Sequence, residues 1–265
     1  MNDDRRRKQL AGFLRSRRSR LTPGEMGLQV DTSRRRTRGL RREEVSSLSG
    51  ISLPWYTALE QGRDIHVSEQ VLESLARTLR LNSDERNHLL VLANHSQLPQ
   101  SKADVTVPAS LQKILDRLGT YPAYIMDRRW NVIASNQASD TLCRDFSRDP
   151  ELGRNMLWHF FAVEDSKARI VNWENVASAM VAHFRSRYAY YISDPWYQEL
   201  VDKLSDRSEA FKTLWERHDV SDTLEGEQII RLPETELLTF HYHTFKMSES
   251  SDFAMRVFTP KSEYL

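Results

Sequence analysis

The chain has 265 residues, 39% hydrophobic and 28% charged, with a formal net charge of +1. That length favours two domains over one, and no apolar run is long enough to span a bilayer. A single cysteine, Cys143, excludes an internal disulfide and suits a reducing cytoplasm, and the N-terminal charges Arg5, Arg6 and Arg7 are followed by no apolar stretch of the secretory kind.

The near-neutral total hides a division. Residues 1–63 hold 15 Lys/Arg against 7 Asp/Glu, whereas the remainder holds 23 against 30. A basic first part joined to an acidic second part points to a polyanionic partner for the first part alone; the alternative is a solvated basic face.

In chain order, Leu10, Phe13, Leu14 and Leu21 recur at helical spacing and predict a helix over 5–20. Thr22-Pro23-Gly24-Glu25 breaks it, and 24–40 reads as an irregular loop carrying Arg34, Arg35, Arg36 and Arg38. A second helix is predicted over 41–49, with Val45 and Leu48 inward. Gly50 suits the positive φ of a helix end, Ile51 plugs the turn, Ser52 caps a third helix, and Pro54 is tolerated in its first turn. Tyr56 and Leu59 point to the core, and Gly62 ends that helix. A fourth helix follows Ser68, with Val71, Leu72, Leu75, Ala76 and Leu79 in one stripe, and Asn82-Ser83-Asp84-Glu85 has the form of a capping box that opens a fifth. Two short helices joined by a tight turn are the helix-turn-helix, which places one helix in the DNA major groove.

Residues 95–108 are polar, hold two prolines and lack periodicity, so the division expected is a DNA-binding domain over 1–94, a linker over 95–108 and a second domain over 109–265. Two strands are predicted within 124–136, followed by helices over 137–146, 155–162, 167–191, 195–204 and 209–217. Strands are predicted over 228–232, 236–245 and 253–259. This order gives an α+β domain with an antiparallel sheet, behind a five-helix N-terminal domain.

Arg38-Gly39-Leu40-Arg41-Arg42-Glu43-Glu44-Val45 and Tyr56-Thr57-Ala58-Leu59-Glu60-Gln61-Gly62-Arg63-Asp64 resemble helix-turn-helix regulators of the Xre/Cro type with an MmyB-like C-terminal domain. Pro122 to Asn136, Trp173-Glu174-Asn175-Val176 and Leu214-Trp215-Glu216-Arg217-His218-Asp219-Val220 continue the resemblance in the family's order, so it covers almost the whole chain. It implies a PAS-like second domain holding a small apolar ligand of the fatty-acid type. It also implies that Glu60 pairs with an arginine of the first helix, Arg15 or Arg18, rather than with DNA.

On this reading the partner is double-stranded DNA, and the third helix presents Leu53, Trp55, Thr57 and Ala58, with Gln61 near its end. Thr57 and Gln61 can bond base edges, while Trp55 reads equally as a core residue. The DNA-binding set is Arg36, Arg38, Arg41, Arg42, Ser52, Leu53, Trp55, Tyr56, Thr57, Gln61 and Arg63, with the arginines on phosphates or in a groove. One helix-turn-helix reads few base pairs, so a homodimer is expected.

For the implied cavity the apolar candidates are Trp158, Phe161, Trp173, Met180, Phe184, Trp215 and Phe240, for each of which plain core is the better reading. The polar candidates are Asn136, His183, Arg217, His218 and Tyr242. His241 and His243 share a strand face but lack further ligands in register, so no metal is expected. No phosphate-binding glycine loop, nucleophile elbow or cofactor motif is present. The reading is a DNA-binding transcription regulator modulated by a hydrophobic ligand and not an enzyme; the alternative is an enzyme or protein-binding adaptor carrying a helix-turn-helix.

Overall fold

The computed structural model describes residues 2–29, 35, 37–94, 107–142, 152–231, 237–247 and 253–261. Its helices are α1 (Asn2–Arg20), α2 (Arg42–Ser49), α3 (Leu53–Glu60), α4 (Glu69–Thr78), α5 (Ser83–Asn94), α6 (Ala109–Arg117) and α7 (Gln137–Leu142). They continue as α8 (Met156–Ala162), α9 (Glu164–Arg169), α10 (Trp173–Tyr190), α11 (Pro195–Arg207) and α12 (Glu209–Glu216). The strands are β1 (Ala123–Met126), β2 (Val132–Ser135), β3 (Gly226–Arg231), β4 (Leu237–Lys246) and β5 (Ala254–Pro260). Packing divides the chain into two compact units. The first is Met1–Leu98 with Phe184–Gln198 and Trp215–Asp222; the second is Pro99–His183 with Glu199–Leu214 and Thr223–Leu265.

In the first unit, α1 lies against α3 and α5, and α2 against α3 and α4. Phe13, Leu14, Val45, Tyr56, Leu72 and Leu89 close the core they share. The turn between α2 and α3 depends on Gly50, whose φ of 71° lies in the left-handed region that a side chain disfavours. Its N–H bonds Ser46 O and ends α2. At the start of α5, Glu85 N–H donates to Asn82 Oδ1 (2.9 Å) and Asn82 N–H to the Glu85 carboxylate (3.1 Å), a capping box as expected. The expected loop over 24–40 contains a short 3-10 turn, Gly24–Met26.

In the second unit the five strands form one sheet in the order β2-β1-β5-β4-β3, every neighbouring pair antiparallel. Alternation along the paired strands puts Tyr124, Arg256, Phe258, Tyr242, Phe240 and Ile230 on one face. Ala123, Ile125, Met255 and Val257 take the other face, which is covered by Leu115 of α6. The sequence reading did not include α6, whose Leu111 and Leu115, with Leu118 just after its end, pack against the sheet.

The long helix expected over 167–191 is interrupted between α9 and α10. The cause is tertiary. Ile170 forms a bridge to Ile230, Val171 N–H donates to Ile229 O (2.8 Å), and the Asn172 amide bonds both Glu227 O and Ile229 N–H. The segment 170–172 therefore joins the edge of β3 in place of continuing the helix. The helix expected over 137–146 is described only as far as Leu142, and Cys143 lies outside the described residues.

Candidate functional site

Helix α3 is fixed from behind by one buried carboxylate. Glu60 is 0% exposed. Arg18 of α1 reaches it twice (Nε–Oε1 2.5 Å and Nη2–Oε2 3.1 Å), Arg42 of α2 bonds Oε2 at 2.7 Å, and the Tyr56 hydroxyl donates to Oε1 at 2.8 Å. Burial by itself raises a carboxyl, but the bonds from Arg18, Arg42 and Tyr56 outweigh it and hold Glu60 below the ordinary carboxylate value. Burial, with Glu60 beside it, pushes the Tyr56 phenol up. Arg15 adds a bond to Glu60 O at 3.0 Å. Both first-helix arginines thus meet Glu60, Arg18 through the carboxylate and Arg15 through the backbone.

Outward from that anchor, α3 presents Ser52, Leu53 (41% exposed), the half-buried Trp55 and Thr57, and the exposed Gln61. Among the described residues no hydrogen bond or ion pair occupies the side chains of Arg38, Thr57, Gln61 or Arg63. Arg41 is exposed and pairs with Glu43 at 3.2 Å. Arg35 is spent on the scaffold, with two bonds to Glu44 (2.6 and 2.8 Å) and others to Thr37 O and Gly39 O.

In the second unit, a cavity of about 60 Å³ lies between the sheet and α8 to α10. Tyr124, Gln228, Ile230, Arg256 and Phe258 form its sheet side. Met156, His159, Phe160, Arg169, Ile170 and Met180 form the other. Its surface is mostly apolar, with the buried guanidinium of Arg256 set into it. A larger hollow in the first unit is an open surface cleft in which Arg15, Arg20 and Arg217 stand beside Glu216 and Asp219, charges that largely neutralise one another.

Residues 9–89 match the model of a helix-turn-helix domain, and residues 107–263 match that of the MmyB-like transcription regulator ligand binding domain. The chain belongs to the MmyB-like transcription regulators. No match is found among curated proteins. As an MmyB-like regulator, the protein couples a DNA-binding helix-turn-helix to a ligand-binding domain. Among the described residues no helix is long and apolar enough to cross a membrane, and no cluster of His, Cys, Asp and Glu could hold a metal ion.

The regulator distributes the sequence candidates unevenly. Of the DNA-binding set, Ser52, Leu53, Thr57, Gln61, Arg38, Arg41 and Arg63 lie at the surface, together with part of Trp55. Tyr56 is 0% exposed and faces the core, and the part-exposed Arg42 is turned onto Glu60. Arg36 lies outside the described residues, as does Arg34. Of the ligand set, only Met180 lines the cavity. Phe161 and Trp173 pack behind it in an aromatic cluster with Phe160 and Phe211. Tyr242 lies under Arg256 on the sheet face, and Phe240 packs on Phe258. His183 rests against Trp130, and the backbone N–H of Trp158 donates to Oδ1 of Asn155, the cap of α8.

Asn136 has a scaffold role: its Oδ1 accepts from Ala123 and Ser139 N–H, and its Nδ2 donates to Leu115 and Tyr121 carbonyls. Phe184, Trp215 and His218 fall in the unit of the helix-turn-helix helices. There Arg185 lies 3.7 Å over the Trp215 ring and bonds Gln9 of α1 (2.9 Å), while Arg17 bonds His218 O (2.6 Å). Ser16 bonds Arg217 O at 2.9 Å, so Arg217 also packs on α1. The cavity residues that sequence reasoning missed are chiefly Tyr124, Ile230, Arg256 and Phe258. Alternation puts Arg256 and Phe258 on one face of β5, but which face meets a cavity depends on long-range pairing.

Proposed function

We propose that this regulator binds double-stranded DNA as a homodimer through the outer side of α3, and that a fatty-acid-like ligand in the cavity modulates that binding. The observation that carries the reading is the apolar cavity enclosed between the sheet and α8 to α10. DNA contacts fall to Thr57 and Gln61 for bases, Leu53 and Trp55 for thymine methyls, and Arg38, Arg41 and Arg63 for phosphates. We also propose the functional division at 1–94, 95–108 and 109–265, which the family matches over 9–89 and 107–263 support.

The cavity volume suggests how control arises. Ligand sites commonly measure about 300–1,000 Å³, several times the 60 Å³ present. A ligand with an acyl chain therefore enters only by displacing wall residues, of which Met156 and Met180 are the most adaptable. Met180 is carried on α10, and the same helix carries Arg185 and Tyr188, which belong to the unit of the helix-turn-helix helices. A ligand that moves its walls has different affinities for the two arrangements, and the DNA affinity shifts by no more than that difference.

The test is denaturing extraction of the purified protein with mass spectrometry of the extract, followed by DNA titration with and without the acid recovered. A copurifying fatty acid that alters DNA affinity supports the reading. Absence of any lipid, with no thermal shift on adding fatty acids, counts against it, and turnover of the ligand would point to an enzyme.

A further inference from the structure

We propose that Arg185 is the positioning residue through which α10, a helix of the cavity wall, holds α1 by way of Gln9 and passes the ligand's effect to the DNA-binding helices. This inference rests on the reading that a ligand in the cavity modulates DNA binding.

α10 is one helix of 18 residues, yet the division between the two units falls inside it, between His183 and Phe184. It contains no glycine or proline, the usual sites of a kink. Met180 lines the cavity five residues before Arg185, about 7.5 Å along the helix. A wall displacement that moves the backbone of Met180 therefore carries Arg185 with it.

Arg185 is 1% exposed and ties its own helix to two others segments of its unit, α1 and 215–218. Its guanidinium lies 3.7 Å over the Trp215 ring, and Nη2 donates to Trp215 O. Nη1 donates to Gln9 Oε1 of α1 at 2.9 Å and meets His218 Nδ1 at 3.3 Å. Among the described residues no carboxylate pairs with it; Asp219 attracts it only at a distance and is itself shared by Arg17, Arg20 and Arg217. Arg17 and Arg18 are held by charge, through Glu85 and Glu60, whereas Arg185 is held by neutral acceptors. Such a hold is weaker than a charge pair in the same setting, so a ligand's differential affinity can shift it. Nε is buried with no hydrogen-bond partner, so this arrangement leaves one donor unused and a second arrangement has a bond to gain. On the other side of the contact, the helix that carries Gln9 also carries Arg18, whose guanidinium holds Glu60 of α3.

The experiment measures, by anisotropy, the affinity of the full chain for a duplex that the wild type selects from a random pool, with and without sodium decanoate, and records thermal melts beside it. Decanoate is expected to change the wild-type affinity at least about fivefold. Gln9→Ala removes the acceptor and should cut that response to under about twofold, with the affinity in the absence of decanoate within about threefold of wild type. Gln9→Glu returns an acceptor at the same reach and should keep the response. Arg185→Lys loses the planar fork and should behave as Gln9→Ala does, which remains the readout if Arg185→Lys does not fold. A merely structural contact would lower the Tm of the variants and leave the response unchanged. That result, or an equal loss of response in Gln9→Glu and Gln9→Ala, overturns the positioning role and leaves ligand control standing. No response in the wild type overturns both.

Discussion

Arg18 of α1 and Glu60 of α3 are 42 residues apart and share a two-pronged contact at 2.5 and 3.1 Å, with Glu60 fully buried. The pair ties α3 to α1, and Arg42 and Tyr56 complete the ring of donors around Glu60. Glu60→Gln keeps the volume but leaves two guanidiniums facing a neutral amide. Removing one partner of a buried pair costs about 3–5 kcal/mol. Urea unfolding should record a loss of that size with an unchanged m-value; a loss under about 1 kcal/mol would mean that the pair is not buried in solution.

Stability should fall with acidification because of two histidines. His88 is fully enclosed beside Phe13, and burial, then the charges of Arg185, Arg17 and His218, hold its pKa well below the usual 6.5. Burial first, then Arg185 and Arg17, hold His218 down to about 3. Both fold neutral. Below an unfolded pKa near 6.5 the unfolded chain takes protons that the folded chain refuses, so their contribution is complete above 6.5 and is lost as pH falls below it, for His218 down to about 3. Two such protons give a limiting slope of about 2.7 kcal/mol per pH unit. His88→Leu and His218→Asn should each flatten the dependence of urea midpoints between pH 7.5 and 5; an unchanged slope in both would refute the assignment.

Gly12 allows α1 to lie close to His218. A Cβ at that position would come within 2.5 Å of His218 Cε1. Alanine improves helix propensity by about 1 kcal/mol, but overpacking a fixed ring costs about 1–3 kcal/mol. The ring is not freely displaceable, since its Nδ1 meets Arg185 at 3.3 Å. Gly12→Ala is therefore expected to lower the Tm, and Gly12→Ala combined with His218→Ala to recover part of the loss. A Tm raised by Gly12→Ala alone would show that the ring moves aside.

How much of this was legible in the sequence follows the range of the interactions. Gly50, the Asn82–Glu85 box and the stripe of α4 are local, so the five-helix domain could be read from spacing. The Glu60–Arg18 pair was reached through family resemblance rather than spacing, because nothing local tells which arginine returns to α3. The break at Asn172 could not be read, since its cause lies 55 and 57 residues away at Glu227 and Ile229. The cavity was the least legible part. The apolar residues of α8 and α10 gave many candidates of equal appearance, and the pairing of Tyr124 with Arg256 across 132 residues decides which strand face completes the wall.

The DNA reading separates two groups of residues by their response to sequence and salt. Thr57 and Gln61 are the hydrogen-bonding groups on the outer side of α3, so Thr57→Ala and Gln61→Ala should change which operator is preferred, by about 1–3 kcal/mol at the affected base pair. Arg38→Ala, Arg41→Ala and Arg63→Ala should instead weaken binding to every sequence and reduce the salt slope by about one each. Arg42→Ala is different, because its guanidinium bonds Glu60 and its loss should lower the Tm along with DNA affinity. Anisotropy titrations over a range of salt, run beside thermal melts, distinguish the three behaviours. If Arg41→Ala leaves the salt slope untouched, Arg41 holds no phosphate and its contact with Glu43 is its whole role.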